Sequence, residues 1–348
     1  MDVAGQTITR SRVALHYWCL ATMAATFVLL CSGGIVTSKG VGMSVPDWPT
    51  TYGYNMFLFP ISGWVGGIFY EHLHRLIGSL IGLMTMILAA WLFSAEPRRW
   101  LKILGLAAFV AVCVQGLLGG LRVTLYKNEI GIFHAVLAQS FFCLLGILAV
   151  STSPKFLRGD WDIFLPHPSL KKLVLLATAL ILVQLGIGAS MRHAHLGLSI
   201  PDFPLAYGQV VPDTSSTTLE KINTVRVEDG QMPTTAAQIW LQMKHRIMAF
   251  VILGLVAAVA WICFTNPIAR SAAVWSAVWL VMIFSQVALG AWTVWSNKAA
   301  DVATAHMALG ALSLLFGVIF SYRLFRASQS SRFVVPDHLL AANLTRVA

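Results

Sequence analysis

Apolar residues run along this chain in eight blocks, at roughly 13–36, 72–94, 100–120, 130–151, 169–190, 240–264, 271–294 and 302–325, separated by polar stretches. About 20 apolar residues suffice to carry a helix across the hydrocarbon of a bilayer. Within that hydrocarbon a helix satisfies its own backbone hydrogen bonds. The pattern predicts an all-α integral membrane protein with eight transmembrane helices. The first block is too long for the apolar stretch of a signal peptide and no convincing cleavage site follows it, so it reads as a span. Composition agrees: 57% of the residues are hydrophobic and 11% charged, against roughly 25% charged in soluble domains.

The net charge of +10 changes meaning once it is distributed over the loops. With eight spans the loops alternate sides. One side (the N-terminus, 95–102, 152–172, 265–270 and the C-terminal tail) carries 14 Lys and Arg, the other carries 7 over longer loops, or 10 with Arg75, Lys244 and Arg246 at span ends. Cytoplasmic loops hold the excess of basic residues, so both termini are expected in the cytoplasm. The basic excess is a topology signal and not a nucleic-acid surface. All five cysteines, Cys19, Cys31, Cys113, Cys143 and Cys263, lie in apolar blocks, where they read as buried thiols.

The chain also repeats itself. "SVPDWPTTYG" (44–53) returns as "SIPDFPLAYG" (199–208) at an offset of 155. "HRLIGSLIGL" (74–83) aligns with "HRIMAFVILG" (245–254), and "QGLLGG" (115–120) with "QVALGA" (286–291), both at 171. "HAVLAQ" (134–139) matches "HMALGA" (306–311) at 172. The expected organisation is two tandem pseudo-symmetric four-helix bundles in one orientation: residues 1–155, residues 156–330 and a tail at 331–348. The change of offset leaves about sixteen extra residues in the second outer loop, and the polar stretch 212–235 reads as a solvated insertion.

The repeat sorts the histidines. His74 pairs with His245 and His134 with His306, separated within each unit by 60 and 61 residues. Two imidazoles facing each other at one depth in a helical bundle can hold a haem iron by both axial positions. His72 lies on another face of its helix, and its partner position is Met243. His193 and His195 have no counterparts and read as loop residues. Glu71 shares the helical face of His74, while its counterpart is Gln242. A dipole-favoured carboxylate suits either unit, whereas a proton acceptor or cation stabiliser is needed only where chemistry happens. Arg75 and Arg246 follow the first histidine of each pair, and their guanidinium forks suit carboxylates such as haem propionates; interfacial snorkelling is the alternative. The two "PD[WF]P" segments are turn-forming loops placed to act as lids.

These residues resemble the haem A synthase family: the tandem units, the Glu-x-x-His-Arg segment of span 2, the histidines of spans 4, 6 and 8, and the stretches "GGIVTSKGVGMSVPDWP" (33–49) and "QGLLGGLRV" (115–123). The likeness runs from about residue 13 to 325. It implies an oxidoreductase that converts a methyl group of haem O to a formyl group, giving haem A for terminal oxidases. It further implies that His74 and His134 ligate the substrate haem, that His245 and His306 hold a haem b, and that Glu71 is the catalytic carboxylate. Implied partners are haem O synthase, terminal-oxidase assembly factors and an electron acceptor. The implied location is the plasma (inner) membrane, with the haem sites toward its outer face. Some members of the family carry a cysteine pair in the first outer loop; residues 37–70 here contain none. Two other classes share parts of the pattern. A dihaem electron carrier needs the four histidines but not Glu71, and a repeat-built transporter needs a site at the midplane, where no duplicated histidine lies.

Overall fold

The computed structural model describes residues 9–158, 164, 168–194 and 196–330. Eight of its helices are long and apolar enough to cross a membrane. In chain order these are α1 (Arg10–Ser38), α2 (Gly66–Ala95), α3 (Arg99–Thr124), α4 (Asn128–Thr152), α6 (Pro168–His193), α8 (Ala236–Thr265), α9 (Ala273–Trp295) and α10 (Ala300–Ser330). Two shorter helices lie between them, α5 (Pro154–Arg158) and α7 (Ser216–Glu228). The ends follow from local chemistry. Pro97 and Pro267 cannot continue a helix, and α2 and α8 stop at the residues before them, Glu96 and Asn266 acting as C-caps. Helix α8 begins with a reciprocal capping box between Thr235 and Gln238, which satisfies two otherwise orphaned backbone donors.

Helices α1–α4 pack in a ring in sequence order, and α6, α8, α9 and α10 do the same. The rings meet through α1 against α10, α4 against α6, and α4 against α10. Each ring has its own core. Leu88, Leu92, Leu101, Phe141 and Leu145 fill the first, and Trp279, Phe320, Val256 and Leu314 the second, where Met23, Phe27 and Leu30 of α1 also pack. The outward faces stay apolar: Trp261, Val274 and Phe284 are all exposed. Such a continuous apolar surface belongs against lipid.

The structure departs from the expected boundaries on the outer side. Helix α2 starts at Gly66 and α8 at Ala236, before the apolar blocks themselves begin. Glu71 precedes the second block, and Gln242 and Lys244 lie inside the sixth, without interrupting either helix; loop partners satisfy Glu71 and Gln242. The 212–235 stretch also holds more structure than a solvated insertion. Helix α7 lies within it, Leu219 packs against the Ile200, Ala206, Ile239 and Met243 cluster, and Arg226 donates to the Leu198 carbonyl at 3.0 Å.

Candidate functional site

The four paired histidines stand six to nine residues inside their helices, about 9–14 Å below the helix starts at 1.5 Å per residue. All four line one continuous cavity of about 1090 Å³ that runs through both units. Ordinary small-molecule sites occupy roughly 300–1,000 Å³, so this one is sized for more than one such ligand.

A glycine on the preceding span makes room for each ring. A Cβ added at Gly33 would lie 2.9 Å from Cε1 of His74, at Gly119 3.4 Å from that of His134, at Gly188 3.2 Å from that of His245, and at Gly290 3.1 Å from that of His306. Three glutamines brace the same turns. Gln115 Nε2 donates to the His134 carbonyl at 2.9 Å, Gln184 to that of His245 at 2.8 Å and Gln286 to that of His306 at 2.8 Å. Each glutamine precedes its glycine by four residues, so both lie on one helical face. At the fourth place Leu29 stands where a glutamine would be. This Gln-x-x-x-Gly signature, on spans 3, 5 and 7, was legible in the sequence and passed unnoticed there.

The Nδ1 atoms of all four histidines are buried and have no hydrogen-bond partner among the described residues. Burying a polar atom without a partner is costly, which marks the rings as held for something else. The His245 and His306 ring centroids are 6.4 Å apart with their planes at 69°. Two metal–nitrogen bonds of about 2 Å, extended to the ring centres, span roughly 6 Å. The spacing therefore fits an iron ligated from both sides. His72 is elsewhere: fully buried beneath the outer loop, with Nδ1 3.1 Å from the Thr51 hydroxyl and its ring against Trp64 and Phe59. His193 is buried against Gly131 of α4. His195 lies outside the described residues.

The two loops over the cavity are built alike. Asp47 accepts from the N–H groups of Tyr52 and Gly53, both at 2.8 Å, and from the Thr50 hydroxyl at 2.5 Å. Asp202 accepts from the N–H groups of Tyr207 and Gly208 at 2.7 and 2.8 Å. Tyr52 donates to the Ser44 carbonyl at 2.6 Å, and Tyr207 to that of Ser199. The Trp48–Pro49 and Phe203–Pro204 peptide bonds are both cis. Left-handed backbone at Tyr52-Gly53 and Tyr207-Gly208 closes each turn, and glycine takes that conformation freely.

Glu71 and Gln242 hold these loops in the same way. Glu71 Oε2 accepts from Val45 N–H at 2.9 Å, and Gln242 Oε1 from Ile200 N–H at 2.8 Å. The arginines complete the clamp. Arg75 donates to the carbonyls of Val45, Asp47 and Thr50 at 2.8, 2.6 and 3.1 Å and pairs with Glu71 at 2.8 Å. Arg246 donates to Ile200, Asp202 and Leu205 at 3.5, 2.7 and 2.9 Å. Glu71, Arg75, Gln242 and Arg246 still line the cavity.

Two further guanidinium groups stand at its outer rim, and sequence reading missed both. Arg122 has a buried Nε with no partner among the described residues. Arg192 reaches across the interface to the Gly34 carbonyl at 2.5 Å and to the Ser38 hydroxyl. In the repeat, Arg122 faces Thr293 and Arg192 faces Thr37, so neither appears as a matched pair. A charge near the end of an apolar block without a counterpart was the only signal.

A model of the family described as "Cytochrome oxidase assembly protein" matches residues 16–318. A "Heme A synthase" of Geobacillus kaustophilus is 26% identical over 341 residues, covering 93% of this chain and 96% of that protein. One of Beijerinckia indica subsp. indica is 28% identical over 289 residues, covering 71% and 75%. One of Listeria monocytogenes is 23% identical and covers 91% and 96%.

Two outcomes follow from this geometry. Burial alone would raise the Asp47 carboxyl, but the hydrogen bonds from Gly53, Thr50 and Tyr52 override it and hold its pKa below the usual carboxylate range. A depressed folded value means that this contribution is complete above the unfolded pKa and is lost as pH falls through the folded one. Asp47→Asn should reproduce that loss at neutral pH, weakening the loop by up to about 1 kcal/mol after solvent screening; faster proteolysis within residues 44–53 is the measurement. Gly290→Val should push the His306 ring from its seat. If a haem iron sits between His245 and His306, added haem should then give a high-spin spectrum there in place of a low-spin one.

Proposed function

The chain belongs to the cytochrome oxidase assembly protein family, and from that premise we infer that it is a haem A synthase, a membrane enzyme producing haem A for terminal cytochrome oxidases. The finer reading is that it is an oxidoreductase acting on haem O, converting one methyl group of the macrocycle to a formyl group. The observation that carries it is the pair of duplicated histidine sites in one cavity, with a carboxylate beside only the first. In this reading His74 and His134 bind the substrate haem, and His245 and His306 hold a haem b. At the rim, Arg122 and Arg192 are placed to meet the macrocycle carboxylates, since guanidinium forks pair with carboxylates. Arg75 and Arg246, expected from the sequence to take that role, instead direct their terminal N–H groups to the lid carbonyls. The second haem, when bound, supplies one-electron redox chemistry.

The residues divide the remaining work. Taking hydrogen from an unactivated methyl carbon releases protons and builds positive charge at that carbon. Glu71 lines the cavity one helical turn before His74 and is 4% exposed. A carboxylate there can accept a proton or stabilise the developing charge, more strongly where water is excluded. The plasma membrane, with cytoplasmic termini, is the location that the basic loops favour. Haem O synthase is the natural source of the substrate and oxidase assembly factors take the product; with water as the oxygen donor the methyl-to-formyl conversion releases four protons and four electrons, and an electron acceptor takes the latter.

The Gln242 geometry makes the decisive variant interpretable. Gln242 accepts from Ile200 N–H while its Nε2 donates to the carbonyls of Gly197 and Ile200 at 3.3 and 3.2 Å. The first unit has Gly42 and Val45 at those places, so Glu71→Gln can keep the lid clamped. The amide is a poor base without charge. Turnover is expected to fall by about 10²–10⁴ while the first site still binds haem, and cells should accumulate haem O or a hydroxylated intermediate. Chromatography of extracted haems decides; normal haem A would reduce Glu71 to a lid clamp.

The second site is tested separately. His245→Ala or His306→Ala should abolish the stable low-spin haem b spectrum of the purified protein and leave haem uptake at His74 and His134. An unchanged spectrum in either variant would remove these residues as ligands.

A further inference from the structure

We propose that a polar cleft at the seam between the two units admits water to the first chamber from the outer side. The inference rests on the haem reading above and deepens it. With water as the oxygen donor, each methyl-to-formyl conversion consumes one water molecule. A chamber walled by apolar helices and covered by clamped loops needs a way in for it.

The cleft has a volume of about 100 Å³ and lies between the end of α1, the loop after it, the turn from α3 to α4 and the end of α6. A cavity needs roughly 10–15 Å³ to hold one water molecule, so a short file of them fits. Thr37, Gly42, Arg122, Arg192 and His193 line both this cleft and the large cavity. Gly40 and Asn128 line the cleft alone and are exposed. The cleft therefore runs from the protein surface to the chamber wall, beside the lids and not through them.

Its lining suits water. No Asp or Glu is among the described residues around it, and the guanidinium groups of Arg122 and Arg192 offer N–H donors in several directions. The Arg122 Nε is buried without a partner among the described residues. The Thr37 hydroxyl donates to the Gly33 carbonyl at 2.9 Å, which leaves its oxygen free to accept a hydrogen bond from water.

The second unit builds the same place differently. In the repeat Gly42 corresponds to Gly197 and Lys127 to Lys298. A Cβ added at Gly197 would lie 2.9 Å from Cδ of Lys298, whereas one at Gly42 would lie 2.8 Å from Nη1 of Arg122. An alkyl stem covers the glycine in one unit, a group that water hydrates covers it in the other, and Lys127 lines neither cavity. A water inlet is needed only where oxygen is added.

The first test is thiol labelling of detergent-solubilised Thr37→Cys with a charged methanethiosulfonate, which reacts with the water-exposed thiolate. The parent supplies the background, because all five of its cysteines lie in the spans. Cys at 37 should react at least about tenfold faster than any parent thiol, and should still do so after protohaem, followed by its Soret band, has filled the first chamber. Parent-like labelling would overturn the inlet. So would labelling abolished by protohaem, since the haem carboxylates would then fill the cleft. The second test narrows the cleft with Thr37→Leu, keeping Thr37→Ser as the conservative variant. Haem A extracted from cells that also express haem O synthase should fall at least about fivefold in Thr37→Leu, as expected where access limits turnover, and stay parent-like in Thr37→Ser. An unchanged second-site haem spectrum reports that each variant is folded. A parent-like haem A yield in Thr37→Leu would overturn the inlet. If the parent takes no haem into the first chamber, the haem reading fails, which is a separate result; labelling of the unloaded protein still decides whether the cleft is aqueous.

Discussion

Everything in this molecule turns on placing four imidazoles inside a helical bundle at a depth where an unpartnered nitrogen is expensive. An imidazole between tightly packed helices needs room and a fixed direction. The glycine opposite each ring provides the room. In three of four cases a glutamine one turn earlier ties the preceding helix to the backbone at the histidine. The eight helices can come together only where these positions are in register, so the packing of the two rings and the geometry of the sites are one problem.

The lids form a second layer above this arrangement. Each is a loop folded around an aspartate and clamped to the helix below by an arginine and by an acceptor four residues before it. The acceptor is a carboxylate in one unit and an amide in the other, yet both take the equivalent backbone N–H. Glu71 therefore carries a structural duty that Gln242 discharges without charge. This separates what the position must do for the fold from what the carboxylate adds. The added property is a negative charge at the wall of the first chamber, paired with Arg75.

The two units are alike in scaffold and unlike in lining. Duplication preserved the ligands, the glycines against them and the lids. The walls toward lipid diverged, with glycine in one unit and bulky side chains in the other. So did the cationic rim, where Arg122 and Arg192 sit on non-equivalent spans. Such divergence gives the two chambers different shapes and different charges at the rim.

Much of this was legible from the chain alone. Hydropathy determined the number of spans because the bilayer imposes one length and one requirement on every crossing segment. The repeat singled out His74, His134, His245 and His306, because a duplicated histidine in an apolar helix is hard to explain by chance. Other features depended on contacts between residues distant in sequence. The start of α2 at Gly66 depends on loop partners of Glu71 that no local pattern reveals. The occupation of Arg75 and Arg246 by lid carbonyls, and the exposure of Arg122 to the cavity in their place, follow from how the loops fold back over the helices. The order within 212–235 comes from Leu219 docking on residues of the second lid. Sequence determined which residues had to lie in lipid and which were repeated; only the tertiary structure decided which polar groups were already satisfied and which were left to meet a ligand, because satisfaction is a property of neighbours in space.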